Sequence, residues 1–414
     1  MIISSWPWKK ILMIAGFLIL AVFLAVLLYL VFFQPATTPN EPLNNNLNQD
    51  ELPNTNLNLN AQSNTNSSGL TPSGEITQPQ TNTNTAPALV ANGGLTEVNQ
   101  LTENSVISLT SESAKVIYYQ ATDGKFYTLN ANGQPQALSD KIFYSVQKAT
   151  WSPDRSQAIL EYPDGSKIVY NFQTKKQVTL PKHWQDFSWS PSGGQIAAKS
   201  LGLDSDNRYI IVSNADGSQA KIIESIGNNA DNFIINWSPN QQIIASYSNG
   251  LDFDRQKIYF VGLNQENFKG MTVPGRGLQT KWSTAGDLLL YSVYTSTNGY
   301  RPELWVASGL PNTMGEARRS LKVNTFADKC AFADNQTLYC AVPTDPVENS
   351  GLLPDLLKNI PDKLQKINLG TGLVTEIATL PTNYTINKLI AASDNSAIYF
   401  TASNQMGLFS IKLK

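Results

Sequence analysis

Histidine occurs once in these 414 residues, cysteine twice, and only 15% of positions carry charge. Each shortage removes a class of function. One histidine and two cysteines cannot assemble an ordinary zinc site. A Ser-His-Asp relay would have to pass through His183, in "PKHWQDFSW", and no Gly-x-Ser-x-Gly elbow accompanies it. His183 therefore reads as a loop or strand residue beside Trp184. No Lys or Arg lies between Lys10 and Lys115, and no basic block occurs elsewhere. The formal net charge is −2, and setting aside Lys9 and Lys10 leaves about −4 for the rest. Nucleic acid is disfavoured as a partner, as is polybasic attachment to anionic lipid.

What is present comes first as a hydrophobic run. Residues 11–33, "ILMIAGFLILAVFLAVLLYLVFF", carry no charge. As a helix they would span roughly 34 Å, enough for a hydrocarbon core of about 30 Å. The run is longer than a signal-peptide core, and no Ala-x-Ala site directly follows, so an uncleaved anchor is expected, with a cleaved signal as the alternative. Lys9 and Lys10 before the run, with Trp6 and Trp8 at interfacial positions, put the short N-terminus in the cytoplasm and everything else outside. Residues 34–94 are rich in Asn, Thr, Pro, Gln and Ser, too poor in apolar surface to offset the entropy of ordering. A disordered tether reaching roughly 40 Å is expected.

Beyond it the sequence repeats itself. "WSPD" at Trp151, "WSPS" at Trp189 and "WSPN" at Trp237 are near copies, and degenerate ones follow in "KWSTAGDLLLYS", "CAFADNQTLYC", "AASDNSAIYF" and "LTSESAKVIYY". Equivalent positions are 109, 151, 189, 237, 282, 331 and 391, so there are seven units. Within the second unit, "QKATWSPD", "SQAILEYPDG", "SKIVYNFQTKK" and "QVTLP" read as four strands separated by turns. Four strands at a period near 40–50 residues predict an all-β, seven-bladed propeller over 95–414, with six or eight blades as alternatives. In the tetrapeptide, Pro presets the turn, Ser or Asp bonds local amides, and Trp anchors one sheet on the next. The last unit stops three strands in, at "GLFSIKLK", and "TEVNQLT" at Thr96–Thr102 matches a fourth strand, so the N-terminal strand is expected to close the ring.

"WSPDRSQAILEYPDGSKIVYNFQT" and its copies resemble the TolB-like, WD-repeat-like propeller repeat of bacterial envelope proteins, found also in propellers attached to prolyl-oligopeptidase-type enzymes. The resemblance covers about residues 96–414. It implies the fold and says little about activity, because this fold hosts many functions. The anchor and tether depart from the TolB pattern of a cleaved signal and a soluble periplasmic protein.

Cys330 and Cys340 flank "ADNQ" symmetrically. If Phe332 and Leu338 are opposite, so are the cysteines, and a disulfide staple is expected, with two buried thiols as the alternative. Asp204 with Asp206 in "LGLDSDNRY", and Asp252 with Asp254 in "NGLDFDRQK", read as solvated loops. Calcium is their second reading, although the distal Glu of a full calcium loop is missing. Otherwise no cofactor is expected.

The connections between second and third strands grow from "ATDGK" and "YPDGS" to "SLGLDSDNR", "SNGLDFDRQ" and "YTSTNGYRPE", then to "VPTDPVENSGLLPDLLKNIPDK" in unit six. All four would emerge on one face, where binding function usually resides. In the last, a short helix over 353–358 is expected, with Leu352, Leu353, Leu356, Leu357 and Ile360 at helical spacing. These residues are either a lid or, with Tyr300 and Arg301, an apolar docking site. The sequence therefore points to a membrane-anchored extracytoplasmic scaffold binding an envelope or extracellular protein or polymer. The competing reading is a metal-dependent hydrolase or lyase acting on a glycan or lactone through the acidic pairs.

Overall fold

The computed structural model describes residues 17–18, 20–24, 86–112, 115–130, 133–266 and 268–414. Most of the expected span 11–33, and the tether as far as residue 85, lie outside the described residues. Residues 17–18 and 20–24 are helical. Among the described residues, no helix is long and apolar enough to cross a membrane.

Among the described residues, twenty-eight strands form seven four-stranded antiparallel sheets, the blades of a propeller. Blades 1 to 6 occupy 106–137, 148–180, 184–225, 233–274, 276–320 and 330–378. Blade 7 takes its first three strands from 386–412 and its fourth from Asn99–Thr102, which pairs with Leu408–Lys412. First strands approach one another from blade 1 through blade 4, and again between blades 6 and 7 and blades 7 and 1. Unit two follows its expected pattern, with strands Lys148–Trp151, Gln157–Glu161, Lys167–Asn171 and Gln177–Leu180.

The repeated tetrapeptide works as a turn and a rivet. Its buried serine accepts a bond from the backbone N–H that opens the second strand. Gln157 donates to Ser152 Oγ at 3.2 Å, Gln195 to Ser190 at 3.1 Å, Ile243 to Ser238 at 2.9 Å and Leu288 to Ser283 at 3.0 Å. The same hydroxyls donate onward to Asp154 and Asn240, each at 2.6 Å. The tryptophan ties blade to blade: Trp189 Nε1 donates to Thr150 O at 2.8 Å and Trp282 Nε1 to Asn236 O at 3.0 Å.

The core lies between sheets, because both faces of an interior blade are covered by neighbours. Phe126 and Tyr119 of blade 1 pack with Leu160 and Tyr170 of blade 2, and Leu304 and Val306 of blade 5 pack with Leu338 and Ile367 of blade 6. Val106 and Tyr118 of blade 1 meet Leu408 of blade 7, so the ring is packed across its closure.

Residues 86–94, read from sequence as the end of the tether, lie on the ring instead. Ala91 N–H donates to Lys412 O at 2.9 Å, Gly93 N–H to Ile377 O at 2.8 Å, and Thr379 N–H to Gly94 O at 2.7 Å. These contacts are backbone to backbone, and Ala, Asn and Gly side chains give them no apolar alternation to read.

Cys330 and Cys340 face each other on the first two strands of blade 6, with Cα atoms 4.1 Å apart and sulfurs bonded at 2.13 Å. Both are fully buried. A bond closing so short a loop is worth about 2–3 kcal/mol in the chain-entropy account. Replacing both cysteines with alanine is expected to lower unfolding free energy by about that amount, measured by urea titration without reductant. An unchanged midpoint would show that packing alone holds the hairpin.

Candidate functional site: a cleft on the long-loop face

The lengthened connections do not behave alike. In blade 3, Asp204 precedes a 3-10 turn at Ser205–Asn207, and both Asp204 and Asp206 point to solvent. Blade 4 has a continuation of its strands rather than an irregular loop. Ile243–Asp252 and Arg255–Gly262 pair out to the Asp252–Arg255 tip, so the hairpin projects as a rigid ribbon. Blade 5 adds a 3-10 turn at Ser296–Asn298.

In blade 6 the expected two-turn helix is a single 3-10 turn, Pro354–Leu357. Pro354 fixes its start, as its missing N–H is harmless in a first turn. The loop is too constrained at both ends for more: Leu353 N–H donates to Asn349 O at 2.9 Å, and Thr344 N–H to Pro361 O at 2.9 Å. The leucines consequently separate by role. Leu357 is 4% exposed and seals the loop onto the ring, whereas Leu352, Leu353 and Leu356 are 43%, 60% and 43% exposed. Ile360 is half-buried, and its carbonyl accepts from Thr385 Oγ1 at 3.0 Å. Lid and exposed patch are thus two sides of one loop.

The three loops are locked together. Ser296 of blade 5 donates through its N–H (3.0 Å) and hydroxyl (2.6 Å) to Asp254 of blade 4. From blade 6, Asn349 N–H donates to Gly299 O and Gly351 N–H to Tyr300 O, both at 2.8 Å. Arg301 Nε donates to Pro346 O at 2.7 Å, and its Nη2 meets Glu348 at 3.1 Å. Arg301 is therefore a brace between blades 5 and 6. Tyr300 is the pivot, its ring edge-on to Phe253 at 5.9 Å and to Tyr294 at 6.4 Å.

Between these loops lies an open cleft of about 680 Å³. Ser248, Asn249 and Gly250 of the blade 4 hairpin form one side, Arg276 and Tyr294 of blade 5 another, and Leu352 closes the blade 6 end. Two of the residues singled out from sequence, Asp252 and Leu352, line it. Sequence reasoning missed Arg276 and Gln256. The signal for the first was "PGRG" at Pro274–Gly277, a glycine on each side of an arginine at the junction of two blades.

The acidic pairs do not converge on an ion. Asp252 is held by Arg255 Nη2 at 2.6 Å and Nε at 2.7 Å, and these bonds lower its carboxyl pKa. The Ser296 bonds likewise lower that of Asp254. Asp204 and Asp206 do not line the cleft. Among the described residues, no three His, Cys, Asp or Glu side chains gather as a metal ion would need. His183 is exposed on the connection between blades 2 and 3, where its carbonyl accepts from Leu201 N–H at 2.9 Å.

No protein-family model matches this chain, and no curated protein matches it. Solved structures do. The β-propeller domain of Cps50 (Swd1) from Myceliophteria thermophila aligns over 77% of this chain and 100% of its own, at TM-score 0.53 and 9% identity. An oligogalacturonate lyase in complex with manganese aligns over 77% of this chain and 93% of its own, at TM-score 0.50 and 13% identity. A chain of the mitotic checkpoint complex aligns over 84% and 99%, at TM-score 0.50 and 13% identity. At such identities the likeness is one of fold. The described residues 86–414 form a seven-bladed β-propeller, an architecture shared by a lyase and by a chain of a multi-protein complex.

Proposed function

We propose that this propeller is a non-catalytic binding or scaffold module, tethered to the cell membrane by residues 11–33, that engages an envelope protein or polymer outside the cytoplasm. Its binding surface is the long-loop face of blades 4 to 6. One observation carries this reading: bonds from backbone and side chains lock three consecutive loops into a rigid unit that nevertheless leaves Leu352, Leu353 and Leu356 bare. A surface ordered before it binds loses little entropy on binding, and exposed aliphatic side chains on a braced loop fit a partner interface. The TolB-like repeat resemblance is consistent with an envelope setting. The hydrolase or lyase reading needs carboxylates gathered to hold an ion, whereas Asp252 and Asp254 are already engaged and Asp204 and Asp206 stand outside the cleft.

The test must spare the fold. Excising 350–362 would remove buried Leu357 and Asp362 together with the docking residues. The double variant Leu352→Glu, Leu356→Glu changes exposed positions alone. Crosslinking pull-downs from envelope extract should lose a defined partner with this variant while its melting temperature stays that of the parent. Retention of every partner would remove the leucines from the interface.

A further inference from the structure

Among the described residues, the cleft is lined by a cation with no counter-ion and by an amide nitrogen with no partner. Arg276 is half-buried, and among the described residues no carboxylate lies within ion-pair distance of it. Among the described residues, its guanidinium makes one hydrogen bond, from Nη1 to Asp252 O at 3.1 Å. Asp252's own carboxylate is taken by Arg255. The backbone is shaped to place this side chain. Gly275 and Gly277, at φ +84° and +66°, flank it, and a Cβ on either would strike Tyr294 at 2.5 or 2.3 Å. The guanidinium lies directly over Gly250, where any Cβ would meet Nη1 at 1.9 Å.

Gln256 supplies the second, independent observation. It lines the cleft, is 4% exposed, and its Nε2 is buried without a hydrogen-bond partner. Of the buried side-chain atoms without a partner among the described residues, it is the one whose residue lines the cleft, and such a donor calls for a completing group. Asn232 and Asn249 add side-chain amides to the same lining, and such groups both donate and accept, as a peptide backbone does. Around them the rim is apolar: Leu251, Phe253 and Leu352 are 50%, 69% and 43% exposed.

Resting on the binding-module reading above, we infer that the cleft takes an extended peptide segment of the partner, one carboxylate side chain flanked by apolar residues. The carboxylate pairs with Arg276, whose planar fork suits it. The amides hold the backbone, and the apolar neighbours pack on Leu352 and Phe253. An acidic glycan would use the same guanidinium, but it leaves an aliphatic rim facing hydroxyls.

Fluorescence anisotropy on the full chain in detergent tests this with a labelled, end-capped peptide alternating leucine and glutamate. The controls are its leucine–glutamine counterpart and labelled trigalacturonic acid. The glutamate peptide should bind at least tenfold more tightly than the glutamine one, with an affinity that falls as salt rises. Arg276→Gln should erase the difference. Gly250→Ala, which displaces the guanidinium without strained φ, should weaken glutamate binding while residue 276 stays arginine. Equal binding of the two peptides, no binding by either, or indifference to Arg276→Gln would overturn the inference. Tighter, Arg276-dependent binding of the trisaccharide would overturn the peptide assignment. None of these outcomes bears on the leucine pull-down, so the two readings fail separately.

Discussion

Asp362→Ala is expected to cost about 3–5 kcal/mol of unfolding free energy, enough to remove a large part of a typical domain's stability. Asp362 is almost completely buried and holds Lys329 Nζ with both carboxylate oxygens, at 2.7 and 2.6 Å. The same carboxylate accepts Ile386 N–H at 2.7 Å, and the Asp362 backbone N–H donates to Tyr384 O at 2.8 Å. One residue thus links the entry of blade 6, the third strand of blade 6 and the first strand of blade 7. Alanine there strands an ammonium and an amide without partners in the interior, which is the costly way to break a buried pair. Burial pushes the Asp362 carboxyl up, so the reverse change, Lys329→Met, should be milder, because the acid can take a proton. The sign follows from linkage. With a raised folded pKa, the Lys329→Met variant loses stability as pH rises above the unfolded value of about 3.9, and regains it on acidification. Urea titrations of both variants at acid and neutral pH check this; equal losses independent of pH would refute it.

The second large effect concerns ring closure. A chain beginning at residue 86 should unfold cooperatively, whereas one beginning at 103 should lose about 4 kcal/mol or more and expose the edge of blade 7. The figure comes from four latch bonds outside the ladder, Ala91 to Lys412, Gly93 to Ile377, Thr96 to Thr379 and Thr379 to Gly94, at about 1 kcal/mol each. Pairing of Asn99–Thr102 with the last strand, and packing of Val98 and Leu101, add to it. An unpaired final strand also invites self-association. Calorimetry and light scattering on the two chains decide the matter: matching midpoints and monomeric behaviour for both would show that the latch is dispensable.

Seven units, four strands in each and the closing strand were all legible, because strand alternation and tight turns are local and repeat. The cysteine register was legible for the same reason, a symmetric hairpin around a four-residue turn. What lay beyond the sequence depends on contacts between units. The blade 4 connection looked like a loop because Ser, Asn, Gly and Asp lack strand propensity, yet pairing with the opposite strand carries it out as a ribbon. The blade 6 leucines showed helical spacing, but the anchors at Asn349 and Thr344 leave room for one turn. Spacing alone could not say that Leu357 turns inward while Leu353 turns outward. Arg301 is expected from the sequence in a docking site, and its role as a brace rests on Pro346 lying beside it. Arg276 escaped because its meaning rests on Gly250, 26 positions earlier in the chain.

Site-specific photo-crosslinking in living cells tests the central claim most directly. A photoreactive residue placed at 353, on the long-loop face, is compared with one at 373. Leu373 is 65% exposed, as Leu353 is at 60%, but it sits on the connection between third and fourth strands at the opposite face. The account predicts a discrete adduct from position 353 and none from 373. Adducts of equal yield at both, or from 373 alone, would contradict it and move the binding surface off the braced loops.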